Sequence, residues 1–467
     1  MSTSNPEMPT SGPDLLAEQA PQAVTVQTEG VALTPTQQLV LNGAYSVLAI
    51  VACLLAIYAA RHYLFTLHRM FARQRSLYAG IVSAPWPRLA VLVAAHNEEA
   101  VIADCISRLL TADYPSDRLL IIPMNDRSTD GTRAIIDRYA DSHPALLRPF
   151  HRVGGTPGKA AALKEATAIV VREKLADVIV VFDADYLPGP QLLKQLAVPF
   201  LDPEVGAVMG RVVPQNTGVN LLTRLLDLER SAGYQVDQQA RFSLGAVAQY
   251  GGTVGGVRLS ALAQVGGWHE NMLAEDTDLT YRLLLRGWRM AYLAHAECHE
   301  EVPQNWSVRF RQIGRWAKGH NQAMTKHALG LTVRGPVGWV ARLDGLALLG
   351  VYAMAPMLLI SWVAAVVALL MGGDAIPASL TALLALTMVA ACGCLGNFAA
   401  FFEVAAAVHL DGHHARLRLM PWLLVGFVVS LVAVSKAAWD GWVVDKLMHR
   451  PLIWDKTVRY RRSGREL

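Results

Sequence analysis

The stretch DVIVVFDADYLPG, residues 177–189, runs four apolar residues, Val178 to Val181, through Phe182 into two aspartates, Asp183 and Asp185. A short continuous apolar run reads as a strand buried on both faces. Its end in two carboxylates, one residue apart, needs another cause. On its own the pair merely solvates a strand end, with Pro188 and Gly189 turning the chain.

The flanking sequence repeats the pattern. RLAVLVAA (88–95), RLLIIPM (118–124) and DVIVVF (177–182) read as strands. Residues 98–110, 131–140 and 158–174 read as helices, the first with Val101, Ile102, Cys105, Ile106 and Leu109 on one face. Alternating strands and helices predict an α/β fold, a mostly parallel sheet covered on both faces. Ligands of such sheets bind outside the carboxyl ends of the strands. The first strand ends in AHNEE (95–99), the second in NDRSTDGT (125–132) and the third in DADY (183–186). Glu98, Asp126, Asp183 and Asp185 are therefore expected on one edge. Clustered carboxylates repel unless a cation intervenes, and magnesium takes one or two carboxylates together with substrate phosphates.

Three further stretches carry chemistry. GGTPGKAAAL (154–163) puts glycines and Lys159 at a helix start, where backbone N–H groups favour phosphate. Its glycine spacing is not that of a P-loop, and Ala160 follows the lysine. LAEDTDLTYRLLLRGW (273–288) reads as a helix opened by Glu275, Asp276 and Asp278, acids that also suit a helix N-terminus. In QIGRW (312–316), Gln312, Arg315 and Trp316 share one helical face, within an amphipathic stretch that fits a membrane surface. QYGGTVGGVRLSAL (249–262) carries four glycines that allow close backbone approach or turns. AECHEE (296–301) has no second ligand pair to make Cys298 and His299 a metal site.

The chain has 467 residues, 53% hydrophobic and only 17% charged, with mean hydropathy +0.28. The apolar excess lies in long runs. Residues 39–60 carry no charge and are long enough to span a bilayer. Arg61, His62, Arg69, Arg73 and Arg75 follow, which places what comes next in the cytoplasm. Residues 343–372 and 378–407 are further candidate spans, and 420–435 is a shorter run that reads as re-entrant or interfacial. The expected layout is a disordered tail over 1–38, a transmembrane helix over 39–61 and a juxtamembrane linker over 62–85. A catalytic domain over 86–305 and interfacial helices over 306–342 follow. Membrane or re-entrant helices over 343–441 and a basic cytoplasmic tail over 442–467 complete it. Five scattered cysteines form neither a disulfide framework nor a zinc spacing. The net charge of +4, without a basic stripe, gives no sign of nucleic acid.

Taken in order, AHNEE, NDRSTD, GKAAAL, FDADY, AEDTD and QIGRW, flanked by membrane helices, resemble the family 2 glycosyltransferases. They are most similar to the membrane-embedded cellulose, hyaluronan, chitin and poly-N-acetylglucosamine synthases. The resemblance covers about residues 90–320. It implies a GT-A fold at the cytoplasmic face of the cell membrane, a UDP-sugar donor (UDP-glucose or UDP-N-acetylglucosamine) and Mg²⁺ or Mn²⁺. By motif, it implies that Ala95, His96, Asn97, Glu98, Asp126, Lys159 and Asp183 hold the donor and Asp185 the metal. It makes Asp276 the general base, and gives the diphosphate and acceptor to Glu275, Gln312, Arg315 and Trp316. The threonine of the T-E-D motif is Ala274 here, Arg127 replaces the common acid or glycine of the uridine motif, and one helix precedes the domain where some relatives have two. The expected activity is inverting transfer to the growing end of a β-linked polysaccharide, processive and coupled to secretion, with membrane lipids around it and room for accessory secretion proteins. The alternative is a single transfer to a lipid acceptor. A transporter with a nucleotide-sensing domain is the third reading, with Glu403 and Lys436 as its main intramembrane charges.

Overall fold

The computed structural model describes residues 33–72, 83–371 and 401–448 and the isolated positions 1, 2, 78, 80, 81 and 460. The expected span 378–407 therefore lies outside the described residues up to 400, as does most of the basic tail.

The catalytic domain is built on eight strands: β1 (Leu89–Ala95), β2 (Leu119–Asp126), β3 (Phe150–Arg152), β4 (Val178–Asp183), β5 (Leu187–Pro188), β6 (Val205–Pro214), β7 (Gly255–Arg258) and β8 (Arg289–Glu300). They form one sheet in the order β3-β2-β1-β4-β7-β6-β8-β5. β2, β4 and β3 run parallel to their neighbours in the first half, and β6 is parallel to β8. β7 is antiparallel to both β4 and β6, and β5 to β8. The expected mostly parallel sheet is found, with the antiparallel strand β7 inserted at its centre and β5 antiparallel at its edge. β7 was not foreseen because half of it is glycine. A Cβ at Gly255 would lie 2.5 Å from the Val208 carbonyl oxygen, and one at Gly256 2.9 Å from the Phe200 ring.

Both faces of the sheet are buried, and the two-residue period divides them. Leu89, Val91, Val93, Val178, Val180 and Phe182 point into one core. Ala90, Leu92, Ile179 and Val181 point into the other. In the described part before the domain, helix α1 spans Pro35–Phe71. α2 (Ile102–Leu110), α3 (Thr132–Ser142) and α5 (Leu192–Ala197) bring Ile106, Ile136 and Leu196 to the first core, whereas α4 (Lys159–Arg172) brings Leu163 and Val170 to the second. α6 (Leu221–Ser231) and α7 (Gln239–Ser243) are joined by a π-helical turn over Ala232–Gln238. α8 (Leu259–Gln264) and α9 (Glu275–Leu285) complete the second core through Leu262, Leu279 and Leu283.

The remaining described helices are α10 (Trp306–Val333), α11 (Trp339–Gly350), α12 (Met354–Met371), α13 (Phe401–Leu410) and α14 (Leu423–Trp439). Three rods, Pro35–Phe71, Trp339–Met371 and His414–Val444, are long and apolar enough to cross a membrane. α1 is longer than its apolar run. It begins inside the expected tail, where Thr34 caps it through a reciprocal pair of bonds with Gln37, and continues through the expected linker to Phe71. The third rod has 31 residues, so the shorter run that read as re-entrant has the length of a full span. α1 packs Leu41, Ala44 and Leu48 against Ala364 and Ala368 of α12. Ile50, Ile57, Ile360, Val363, Val428 and Val432 remain exposed, the surface a helix presents to lipid. The second rod is interrupted by a 3₁₀ turn at Val351–Ala353.

Candidate active site

The carboxyl ends of β1, β2 and β4, the N-termini of α4 and α9 and the middle of α10 enclose one cavity of about 700 Å³. Ala95, His96, Glu98, Asp126, Lys159, Asp183, Asp185, Glu275, Asp276, Gln312, Arg315 and Trp316 all line it. Of the residues singled out from sequence, Asn97 is not in the lining. It adopts a left-handed backbone (φ 54°), donates its N–H to Ser128 Oγ at 2.9 Å and accepts from Thr129 N at 2.7 Å. It ties the loops after β1 and β2 together.

Asp126 ends β2 and is nearly buried. Its Oδ1 accepts from Arg152 Nη1 at 2.6 Å and from Arg127 Nε at 2.9 Å. Its Oδ2 accepts from the Gly158 N–H at 3.0 Å. That amide at the start of α4 therefore serves Asp126, where sequence alone left it for phosphate. Arg152, whose side chain is fully buried, also pairs with Glu165 at 2.7 Å. His96 Nδ1 lies 2.6 Å from the Asp126 carbonyl oxygen, which aims the imidazole into the same corner. The Glu98 N–H donates to Thr132 Oγ1 at 2.8 Å, so residues 98–101 form the turn that precedes α2.

β4 ends at Asp183, whose Oδ1 meets Lys159 Nζ at 2.5 Å. Burial alone would lower the Lys159 ammonium, but the charges of Asp183, Glu275 and Asp276 outweigh it and hold the group above its ordinary value. Asp185, 2% exposed, faces the cavity two residues on. Across from it, α9 presents Glu275 and Asp276. Burial and the neighbouring Asp276 push the Glu275 carboxyl up to about 7. Burial also raises Asp276, against a 2.6 Å hydrogen bond from the Thr277 N–H. Four carboxylates around one ammonium leave excess negative charge, and carboxylate oxygens are the donors that magnesium and manganese take. These residues fit a divalent cation. His62, Asp237 and Glu403 also bring ligand atoms within 4.8 Å of one another. That group lies outside the cavity lining, and Arg61 and Arg241 already compensate its charge by pairing with Asp237. Glu403, read as an intramembrane charge, is 2.5 Å from His62 Nδ1, and Lys436 is 2.5 Å from Asp440.

α10 closes the cavity. Gln312 Oε1 accepts from Arg309 Nη1 at 2.8 Å. The guanidinium groups of Arg230 and Arg309 lie over the Trp316 ring at 5.3 and 5.2 Å. Arg230 also donates to Glu300 at 2.6 Å, and the Tyr186 hydroxyl donates to the same carboxylate at 2.9 Å. Tyr186, Arg230, Tyr234, Glu300, Glu301, His320 and Tyr352 all line the cavity and were not singled out as site residues. The last two acids of AECHEE, Glu300 and Glu301, do reach it, although not as a metal pair. Ala274, at the first position of the A-E-D stretch, meets Gly319 of α10. A Cβ on that glycine would stand 2.8 Å from the Ala274 Cβ, so two small residues let α10 close on the start of α9.

A GT-A-like sheet whose strand ends aim Asp183 and Asp185 into one cavity, where Lys159, Glu275 and Asp276 meet them from two helix N-termini, is the arrangement of a glycosyltransferase. The chain belongs to glycosyltransferase family 2: residues 87–319 match "Glycosyltransferase like family 2". It is 34% identical over 262 residues to the beta-monoglucosyldiacylglycerol synthase of Synechocystis sp., covering 56% of this chain and 53% of that one. It is 31% identical over 251 residues to glucomannan 4-beta-mannosyltransferase 7 of Arabidopsis thaliana, covering 53% and 45%. The chain thus spans about half the length of these curated relatives. The mannosyltransferase PcManGT from Pyrobaculum calidifontis, solved with GDP-Man and Mn²⁺, shares the fold with TM-score 0.52 at 20% identity, over 84% of this chain and 99% of that chain.

Proposed function

We propose that this chain transfers a sugar from UDP to a hydroxyl group of a membrane lipid, with inversion at the anomeric carbon. The observation that carries this reading is the position of Tyr352. It sits on the 3₁₀ turn that interrupts a rod able to cross a membrane, and it lines the same cavity as the D-x-D carboxylates. An acceptor hydroxyl can therefore reach the donor from the membrane. The relative that acts on diacylglycerol by its name agrees with it.

Asp126, held by Arg152 and Gly158, faces the base of the nucleotide, and Lys159 with Asp183 lies toward its diphosphate. Asp185 would hold a divalent cation, whose charge would help neutralise the departing diphosphate. Arg315 adds positive charge from α10. Asp276 takes the proton of the acceptor hydroxyl. The new bond joins that oxygen to the anomeric carbon, and the bond from carbon to phosphate oxygen breaks with its electron pair on UDP. Buried and raised in pKa, Asp276 is a better proton acceptor than an exposed aspartate. The basic residues after the first span support a cytoplasmic position for the domain.

The test uses the full chain in phosphatidylcholine vesicles with dioleoylglycerol, Mn²⁺ or Mg²⁺ and a panel of UDP-sugars. UDP release coupled to one labelled sugar per lipid supports the reading. A ladder of sugars without labelled lipid establishes polymer synthesis instead, the activity that the glucomannan relative's name describes.

A further inference from the structure

His320 lies on α10 at four-residue spacing from Trp316 and Gln312, so the three share a face, and all three line the cavity. It belongs to none of the motifs quoted from the sequence. Its ring stands between the base and the membrane side. Nε2 lies 3.3 Å from Thr277 Oγ1, the residue after Asp276. The ring also packs on Tyr352, with centroids 4.8 Å apart. Nδ1 is shut off from solvent and has no hydrogen-bond partner among the described residues. Burial first, and the Arg241 charge second, lower the imidazole to about 4, so it is neutral at pH 7. A neutral imidazole donates from one nitrogen and accepts at the other. A buried polar atom left unmade costs about 1–3 kcal/mol, and an incoming group that displaces the packing over Nδ1 would recover it.

We propose that His320 binds the acceptor, its Nδ1 hydrogen-bonding the hydroxyl end of a lipid that enters past Tyr352, and so holds the nucleophilic oxygen beside Asp276. This rests on the lipid acceptor proposed above. The Nε2 contact fixes the ring. Thr277 Oγ1 accepts from Gln249 Nε2 at 2.9 Å, which leaves its own hydrogen for His320 Nε2 or, at 3.4 Å, for Asp276 Oδ1. With Thr277 donating to Nε2, Nδ1 carries the proton and donates to a lone pair of the acceptor oxygen. The hydroxyl hydrogen then remains free for Asp276. The ligand class is a lipid whose headgroup is a bare hydroxyl, such as a diacylglycerol, because the tyrosine and imidazole that meet it carry no charge.

Two substitutions separate the nitrogens. An asparagine amide reproduces the Nδ1 position, and a glutamine amide reproduces Nε2. The full chain in phosphatidylcholine vesicles with dioleoylglycerol is assayed with the UDP-sugar that gives the fastest UDP release. Expected for His320→Gln is a rise of about tenfold in the KM for dioleoylglycerol, the size of one lost hydrogen bond. His320→Asn should stay within about twofold of wild type by the same measure. In both, the KM for the UDP-sugar should move far less than the KM for the lipid. Retention by Gln with loss by Asn would show that the ring serves Thr277 alone and overturn the proposal, as would unchanged lipid KM in both. If wild type delivers sugar to lipid and Gln is silent, only His320's role falls. If wild type delivers none, the lipid reading falls and this proposal with it.

Discussion

At the donor end of the cavity, carboxylates are held by buried cations across short bonds: Arg152 to Asp126 at 2.6 Å and Lys159 to Asp183 at 2.5 Å. At the acceptor end, His320 keeps an unpartnered ring nitrogen, and Glu275 and Asp276 are raised in pKa by burial. One end is rigid before anything binds. The other keeps polar groups that, on the proposed reading, substrate would partner. A site that recognises a fixed nucleotide and an acceptor from lipid is expected to divide its order in this way. The substitution with the largest expected effect acts on the unsatisfied end. Asp276→Asn should lower kcat about 1000-fold, the scale of a lost general base, while the KM for the UDP-sugar stays within a few-fold. Single-turnover measurement of sugar transfer checks this, and undiminished transfer would remove Asp276 from the base role.

Next comes the joint between the two ends. Asp278, fully buried on α9, receives His327 Nε2 at 2.8 Å and Lys326 Nζ at 2.7 Å from α10, with Arg282 at 2.7 Å and His269 at 2.8 Å. Burial would raise its carboxyl, but the His327 and Lys326 hydrogen bonds and the Arg282 charge hold it well below the usual range. A depressed folded value means stabilisation that is present above the ordinary carboxylate pKa and lost as pH falls through the folded one. Asp278→Asn should therefore cost about 3 kcal/mol at pH 7, the scale of breaking one partner of a buried pair. The gap between variant and wild type should narrow from about pH 4 downward. Denaturant titration in detergent at several pH values measures it. A gap independent of pH would exclude the charge clamp.

Why the donor end could be read in advance and the acceptor end could not is visible in particular residues. Asp126, Asp183 and Asp185 sit at the ends of apolar strands, and strand direction alone brings them to one edge. Arg152 lies on β3, a three-residue edge strand with no pattern to mark it. β7 was hidden because its glycines serve close strand packing rather than a hydrophobic alternation. His320 and Tyr352 come together only because α10 lies against the interrupted membrane rod, a contact between residues 32 positions apart that no local period encodes. Ala274 looked like a lost motif residue. Its meaning appears only beside Gly319, where both must be small. Gly319→Ala or Ala274→Thr should thus force α10 off α9, an overpacking cost of about 1–2 kcal/mol. The shift should appear as about a tenfold loss in kcat/KM for the lipid, with UDP-sugar binding retained.

The smallest effect belongs to the residue that departs most visibly from the uridine motif. Arg127 has a left-handed backbone, φ 55°, and its half-buried side chain reaches Asp126 Oδ1 at 2.9 Å. The same carboxylate is already bound by the fully buried Arg152 and by the Gly158 N–H. Removing Arg127 leaves Asp126 paired and in place. Arg127→Ala should raise the KM for the UDP-sugar by less than about fivefold, the value of a solvent-screened pair, and leave kcat unchanged. Arg152→Met removes the buried partner of both Asp126 and Glu165, and so should cost several times more free energy in donor binding and in stability. Isothermal titration of UDP into both variants separates the two arginines. Equal losses would mean that Arg127 touches the nucleotide itself, and the donor end would then be less complete before binding than its hydrogen bonds imply.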